Sequence, residues 1–337
     1  MKRIVVLGNS LAGIKALEEI QVVDPQAECL MVSLDGNYPY YPDRLYQYLA
    51  KDISASELWY KPQKYYEENN IQIVLDKRIE KINFKKNSLA TDQKEIIGYD
   101  VLIITQTPDQ KFPDIKGTNK RGVFNFHRLS DVEEISKELT FADAAVIESA
   151  SWAGFKAAYA MRQRGKEVLL LASNPVVVSQ LAEESAQLMI QNLQEQGIRV
   201  LLDNAIAEVL GDGDVKAVRL KSGKVMAADM VLFDNVLPHL KIFNDTPLKV
   251  GQRICVNAFF RTNIENVYAV DEMCDPSRAD NANKGWSVED LLEQGRIVAA
   301  AIHGREILFT AGSVSERANI IKLCTTISNN FKRTKRP

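Results

Sequence analysis

The sequence predicts an α/β fold with two Rossmann-like units, each opening on a strand, a tight turn and a helix. Three observations support this. Arg3-Ile4-Val5-Val6-Leu7 is a β-branched run that stops at Gly8, and helical apolar spacing through Ala16, Leu17 and Ile20 follows from Gly13. The same grammar returns at mid-chain, where Ala144-Ala145-Val146-Ile147 leads through a small-residue turn into a helix over Phe155 to Arg164, then a strand over Glu167 to Leu171. No low-complexity linker separates the two, so the units are expected to be interleaved along the chain.

The remaining elements follow in order. An apolar strand over Cys29 to Leu34, after Asp24-Pro25, completes a βαβ unit of the length a parallel crossover needs, and Asp35 ends it. Ile71 to Leu75 reads as a strand, Lys85 to Lys94 as a charged hairpin-like stretch, and Val101 to Thr105 as a buried parallel strand. Val231 to Phe233 and Asn266 to Val270 are two more short apolar strands. Acid pairs at Glu133-Glu134 and Glu183-Glu184 read as solvated helix faces. Ala318 to Phe331 has helical apolar spacing that would dock on another subunit or cover this one, and Lys332 to Arg336 reads as a solvated basic end.

Composition narrows the function classes. With 337 residues, 46% of them hydrophobic, the chain can bury a large core and divides naturally into two domains. The formal charge of -2, from 42 basic and 44 acidic residues, gives no overall field favouring nucleic acid or an anionic membrane. Cys29, Cys255, Cys274 and Cys324 lie far apart with no CxxC pair, so neither a metal knuckle nor a redox-active disulfide is expected. His127, His239 and His303 are too scattered to suggest a metal site or a catalytic triad. The apolar run after Met-Lys-Arg is too short for a signal or a spanning helix, which points to a cytoplasmic protein.

The chemistry centres on Gly8-Asn9-Ser10-Leu11-Ala12-Gly13. In a GxGxxG turn the first glycine makes the bend, the second lets backbone approach a pyrophosphate, and the third lets helix pack on strand. Ser10 holds the middle place, small enough for close approach and carrying a hydroxyl of its own. The helix start supplies unpaired N–H groups and positive dipole. Asp35 lies about 20 residues beyond Gly13, where an acid can accept from ribose hydroxyls.

From these residues and several others the chain resembles the FAD-dependent pyridine nucleotide-disulfide oxidoreductase superfamily, in the branch of rubredoxin reductases, NADH oxidases and the flavin portion of nitrite reductase. Tyr38-Pro39-Tyr40-Tyr41-Pro42-Asp43-Arg44-Leu45 is similar to the family's Pro-Tyr-x-Arg-Pro-x-Leu, and Tyr99 to Thr105 to its Tyr-Asp-x-Leu-Ile-x-Ala-Thr-Gly. Thr262 to Glu272 is similar to Thr-x-x-x-x-Val-Tyr-Ala-x-Gly-Asp, and Trp286 with Glu293-Gln294-Gly295-Arg296 to the closing helix. The resemblance implies FAD as the cofactor, with Gly8, Ser10, Leu11, Ala12, Gly13, Asp35, Arg44, Ile79, Thr105, Gln106 and Glu272 binding it. Arg44 would sit near the pyrophosphate or flavin, Glu272 would replace the aspartate of the ribityl chain, and Ile79 would offer backbone groups to adenine. Bland alternatives stand beside these: a surface ion pair for Arg44, a solvated acid for Glu272, strand core for Ile79.

It also implies a layout: a discontinuous FAD domain over residues 1–115 and 245–310, a degenerate NAD(P)-type domain over 116–244, and a C-terminal helix and tail over 311–337 where many relatives carry an interface domain. The second turn, Ser149-Ala150-Ser151-Trp152-Ala153-Gly154, keeps only the third glycine, follows Glu148, and leads to a strand end, Ala172-Ser173-Asn174, with neither acid nor arginine for a ribose. Asn235-Val236-Leu237-Pro238 likewise lacks the glycine of the family's Gly-x-x-Pro. These losses predict weak or absent NAD(H) binding, with Trp152 a candidate to stack on flavin or equally a core tryptophan. The expected function is an FAD-containing electron-transfer subunit of an oxidoreductase complex, homo- or hetero-oligomeric, whose protein redox partner is iron–sulfur or rubredoxin-type. An NAD(P)H-dependent reductase of a rubredoxin- or ferredoxin-type carrier and a cofactor-free structural subunit are the alternatives.

Overall fold

Along the chain the first elements are β1 (Arg3–Leu7), α1 (Leu11–Val23), β2 (Glu28–Val32), α2 (Leu45–Ala50), α3 (Gln63–Glu68), β3 (Ile71–Val74), β4 (Ile79–Asn83), β5 (Ser88–Thr91), β6 (Ile96–Gly98) and β7 (Val101–Ile104). Then come β8 (Val123–Asn125), α4 (Leu129–Glu138), β9 (Ala144–Ser149), α5 (Trp152–Gln163), β10 (Glu167–Ala172), α6 (Glu183–Glu195), β11 (Arg199–Leu202), β12 (Ile206–Leu210), β13 (Ala217–Leu220), β14 (Val225–Ala227) and β15 (Met230–Phe233). The last are β16 (Ile254–Cys255), β17 (Val267–Ala269), β18 (Cys274–Asp275) and α7 (Val288–Ile302). The computed structural model describes residues 1–105, 112–149, 152–172, 183–234, 240–275 and 286–309.

These elements form two units that alternate along the chain. Of the described residues, the first unit holds 1–43, 58–105, 240–275 and 286–309, and the second holds 44–57, 112–149, 152–172 and 183–234. The first is built on a five-stranded sheet of order β17-β7-β1-β2-β3, parallel throughout. The second repeats the plan with a parallel sheet of order β11-β10-β9-β15-β8. Each adds a three-stranded antiparallel sheet, β4-β5-β6 in the first and β12-β13-β14 in the second. The α/β fold with two interleaved Rossmann-like units is therefore as expected.

Sequence explains why these strands lie where they do. A parallel sheet is covered on both faces, so its strands read as unbroken apolar runs, and every residue of β7 and β15 is buried. On α1, Ile14, Leu17 and Ile20 are fully buried against the sheet, each contributing about 1.5–3 kcal/mol. The expected charged hairpin belongs to the β4-β5-β6 sheet, whose Ile79, Ile82 and Leu89 enter the core. The second strand stops at Val32, two residues short of the expected Leu34. The reason is local: Ser33 Oγ accepts the Asp35 N–H at 2.9 Å and Asp35 Oδ1 accepts the Asn37 N–H at 3.1 Å, turning the chain. Glu133 and Glu134 lie exposed on α4, as their solvated-face reading expects.

Among the described residues no helix is long and apolar enough to cross a membrane, and no group of three or more His, Cys, Asp or Glu is placed to hold a metal ion. The segment Ala318 to Phe331 and the basic end lie outside the described residues.

Candidate functional site

The first turn is built to bend and then to offer hydrogen-bond donors. Gly8 takes φ +111°, a conformation that strains any residue with a Cβ. Ser10 is the N-cap of α1, extended at φ -135°, ψ 156°, and its Oγ accepts the Gly13 N–H at 3.2 Å. The Leu11 and Ala12 N–H groups precede the first intrahelical bond, which Ile14 donates to the Ser10 carbonyl at 3.0 Å. A Cβ on Gly13 would come within 2.6 Å of Val6 Cγ1 and 2.9 Å of Thr105 Cγ2, so the third glycine lets α1 sit directly on β1 and β7. No acidic residue lies in the first turn of α1. The result is a neutral cradle at the positive end of a helix.

Two side chains tie this turn and the loop after β2 in place. Asn9, buried, donates from Nδ2 to the Asn37 carbonyl at 2.8 Å. Asp35, also buried, accepts from the Asn37 backbone at 3.1 Å and side chain at 3.0 Å, and from the Tyr40 hydroxyl at 3.2 Å. Its carboxylate therefore fixes the loop beside the turn. Near the start of β2, burial pushes the Cys29 thiol up to about 11, which leaves it chemically quiet near neutrality.

The other expected binding residues fall in several places. Thr105 is fully buried and ties the end of β7 to β1, its N–H and Oγ donating to the Leu7 carbonyl at 2.9 and 3.1 Å. Ile79 is buried strand core, in register with Thr91. Arg44 belongs to the second unit and donates from Nη1 to the Glu57 carbonyl at 2.7 Å. Laid on the family pattern from Pro39-Tyr40 to Leu45, it falls two positions after the motif's arginine, whose place Pro42 takes. Gln106 lies outside the described residues.

Glu272 is exposed, on the 3-10 turn Asp271–Met273. Asp271, in the family's glycine place, adopts φ +62°, so the left-handed backbone persists without the glycine. It is held on all sides: its N–H donates to Gln294 Oε1 at 2.7 Å, its Oδ1 accepts the Glu272 N–H at 2.8 Å, and its carbonyl accepts Trp286 Nε1 at 3.1 Å. Gln294 is fully buried on α7. Its motif place was legible, but the role of its side chain was not.

The second turn also joins a parallel strand to a helix, and the described residues at its two ends meet buried acids. In register, Phe233 pairs with Glu148 as Ile104 pairs with Leu7, so Asp234 corresponds to Thr105 and Ser149 to Gly8. Glu148 is buried and accepts the Ile206 N–H at 2.6 Å. Asp234 Oδ2 accepts both the Ser149 hydroxyl at 2.8 Å and the Gly154 N–H at 2.9 Å. Gly13 and Gly154 are equivalent, yet a neutral hydroxyl meets the first N–H and a carboxylate the second. Trp152 opens α5, while Ser151 lies outside the described residues. Sequence reading missed Asp234, which comes from 80 residues away; an acid directly after an apolar strand was its one visible signal.

Comparison with known proteins identifies the family and the fold. The family model described as pyridine nucleotide-disulphide oxidoreductase matches residues 2–285. The chain is 27% identical over 318 residues to a nitrite reductase (NAD(P)H) of Bacillus subtilis (strain 168), covering 93% of this chain and 39% of that protein. It is 24% identical over 306 residues to an assimilatory nitrate reductase electron transfer subunit of the same organism, covering 90% of this chain and 39% of that protein. The chain thus spans well under half the length of both. A ferredoxin reductase structure from Rhodopseudomonas palustris shares the fold with a TM-score of 0.84 at 18% identity, over 92% of this chain and 78% of that one.

Proposed function

The chain belongs to the pyridine nucleotide-disulphide oxidoreductase family, and within it we propose an FAD-containing electron-transfer protein that holds NAD(H) weakly or not at all. Members of this family normally bind FAD, and the first turn fits a dinucleotide: a bend that needs φ +111° at Gly8, a neutral serine cap and a glycine seat against Val6 and Thr105. Gly8, Ser10, Leu11, Ala12 and Gly13 would hold the pyrophosphate, with Asp35 toward the ribose and the Ile79 backbone toward adenine. Thr105 serves by seating α1, and Glu272 would act at the flavin end. Bound FAD supplies reversible one- and two-electron chemistry.

The observation that carries the weak-NAD part is the carboxylate of Asp234 on the Gly154 N–H. A dianionic pyrophosphate brought to that helix start would meet like charge, at roughly 4 kcal/mol per pair of unit charges 4 Å apart in a protein-surface dielectric. A protein partner with an iron–sulfur or rubredoxin-type centre is the matching electron source or sink, in line with the relative named as an electron transfer subunit. The test is flavin release on denaturation, followed by anoxic mixing with NADH. We expect about one FAD per chain and no bleaching at stoichiometric NADH. Rapid bleaching would instead establish an NAD(P)H-dependent reductase, and a colourless protein with no releasable flavin would leave a structural subunit.

A further inference from the structure

We infer that Asp234 is an internal anion held at the start of α5 by the Ser149 hydroxyl and the Gly154 N–H, and that this one carboxylate determines whether a dinucleotide binds there. The inference deepens the proposed function and rests on its reading of the second unit. Three observations converge. The carboxylate is buried, and one oxygen, Oδ2, takes two donors at once, the Ser149 hydroxyl and the Gly154 N–H. That N–H belongs to the third glycine of the fingerprint, in the first turn of a 12-residue helix, where the backbone field attracts an anion. A methyl group on Gly154 would come within 2.5 Å of the same Oδ2, so the acid is packed against the glycine and leaves no space between them.

The first unit supplies the control. There the residue after the neighbouring strand is Thr105, whose hydroxyl turns away to the Leu7 carbonyl, and Gly13 donates to its own N-cap Ser10. A hydroxyl in that place leaves the helix start neutral; a carboxylate supplies the charge a ligand would otherwise bring. Glu148 adds a second buried acid one residue before Ser149, committed to the Ile206 N–H. Asp234 is thus a specificity-determining residue acting by charge and by occupancy, and no side chain of the fingerprint itself needs to be restored to relieve it.

The experiment compares full-length wild type with Asp234→Thr, which copies Thr105, and Asp234→Asn, which keeps the shape and removes the charge. NADH binding is measured at equilibrium by its fluorescence, with flavin content per chain as the check on the first unit. We expect both variants to bind NADH at least tenfold more tightly than wild type at unchanged flavin content. Equal binding in wild type and variants would overturn the inference. A measurement on wild type alone guards against a variant that misfolds. Hydrogen exchange across the first turn of α5 should be the same with and without millimolar NADH, and NADH-dependent protection there would also overturn it. The two levels separate cleanly. Tight NADH binding with flavin bleaching in wild type would remove the proposed function, whereas weak binding in all three proteins would remove only the role of Asp234.

Discussion

The two turns of this chain lie between equivalent strands and helices and differ in the charge that meets the third glycine. In each, the fingerprint strand leads to a helix whose third glycine packs on the sheet, and the strand beside it ends in a residue that closes the turn from behind. At the first turn that residue is Thr105 and the cap on Gly13 is Ser10; at the second it is Asp234, which itself meets Gly154. On the proposed reading, a dinucleotide fold keeps its geometry while its binding chemistry is answered from within. Geometry is set by close packing, which tolerates little change. Binding rests on a few donors that any buried acid can satisfy.

The largest effect is expected at the glycine seat. Gly13→Val forces side-chain atoms into the space held by Val6 and Thr105. It should destabilise the protein by about 1–3 kcal/mol and abolish bound flavin, read by urea unfolding and by absorbance. Full flavin retention would break the comparison at its first term. Next is Asp35→Ala, which strands the Asn37 and Tyr40 donors. A loss of about 1–3 kcal/mol and at least tenfold weaker FAD binding should appear in thermal melting and flavin titration.

Smaller effects sharpen the second turn. Ser149→Ala removes a hydroxyl donor from Asp234, so stability should fall by about 1 kcal/mol with flavin content unchanged. Loss of flavin in that variant would show that the units are not independent in cofactor binding. The smallest effect concerns Cys29 in β2. Its folded value of about 11 exceeds the ordinary value near 9, so folding favours the protonated thiol. That contribution is whole below pH 9 and is lost as pH rises through 11. Native protein at pH 8 should therefore leave Cys29 unalkylated while exposed Cys255 reacts, as mass spectrometry of the labelled peptides would report.

The legible parts of the molecule were those written locally. β1, β7 and β15 announce themselves as apolar runs, and the Gly8 to Gly13 turn as spaced small residues between a strand and a helix. What sequence could not convey was contact at a distance. Asp234 reaches Gly154 across 80 residues, and Gln294 holds Asp271 across 23. The left-handed backbone at Asp271 was invisible for another reason, since aspartate carries no signature of φ +62° and only the lost glycine hinted at it. Strand ends were also misjudged where side chains turned the backbone, as Ser33 and Asp35 do after Val32.

The asymmetry between the turns is tested most directly by a crystal structure of the full chain after soaking in both FAD and NADH. The expected result is pyrophosphate density over Gly8 to Gly13, with Asp234 Oδ2 still accepting the Gly154 N–H. Dinucleotide density at the start of α5 with the Asp234 side chain swung away, or a first turn with no density at all, would contradict it.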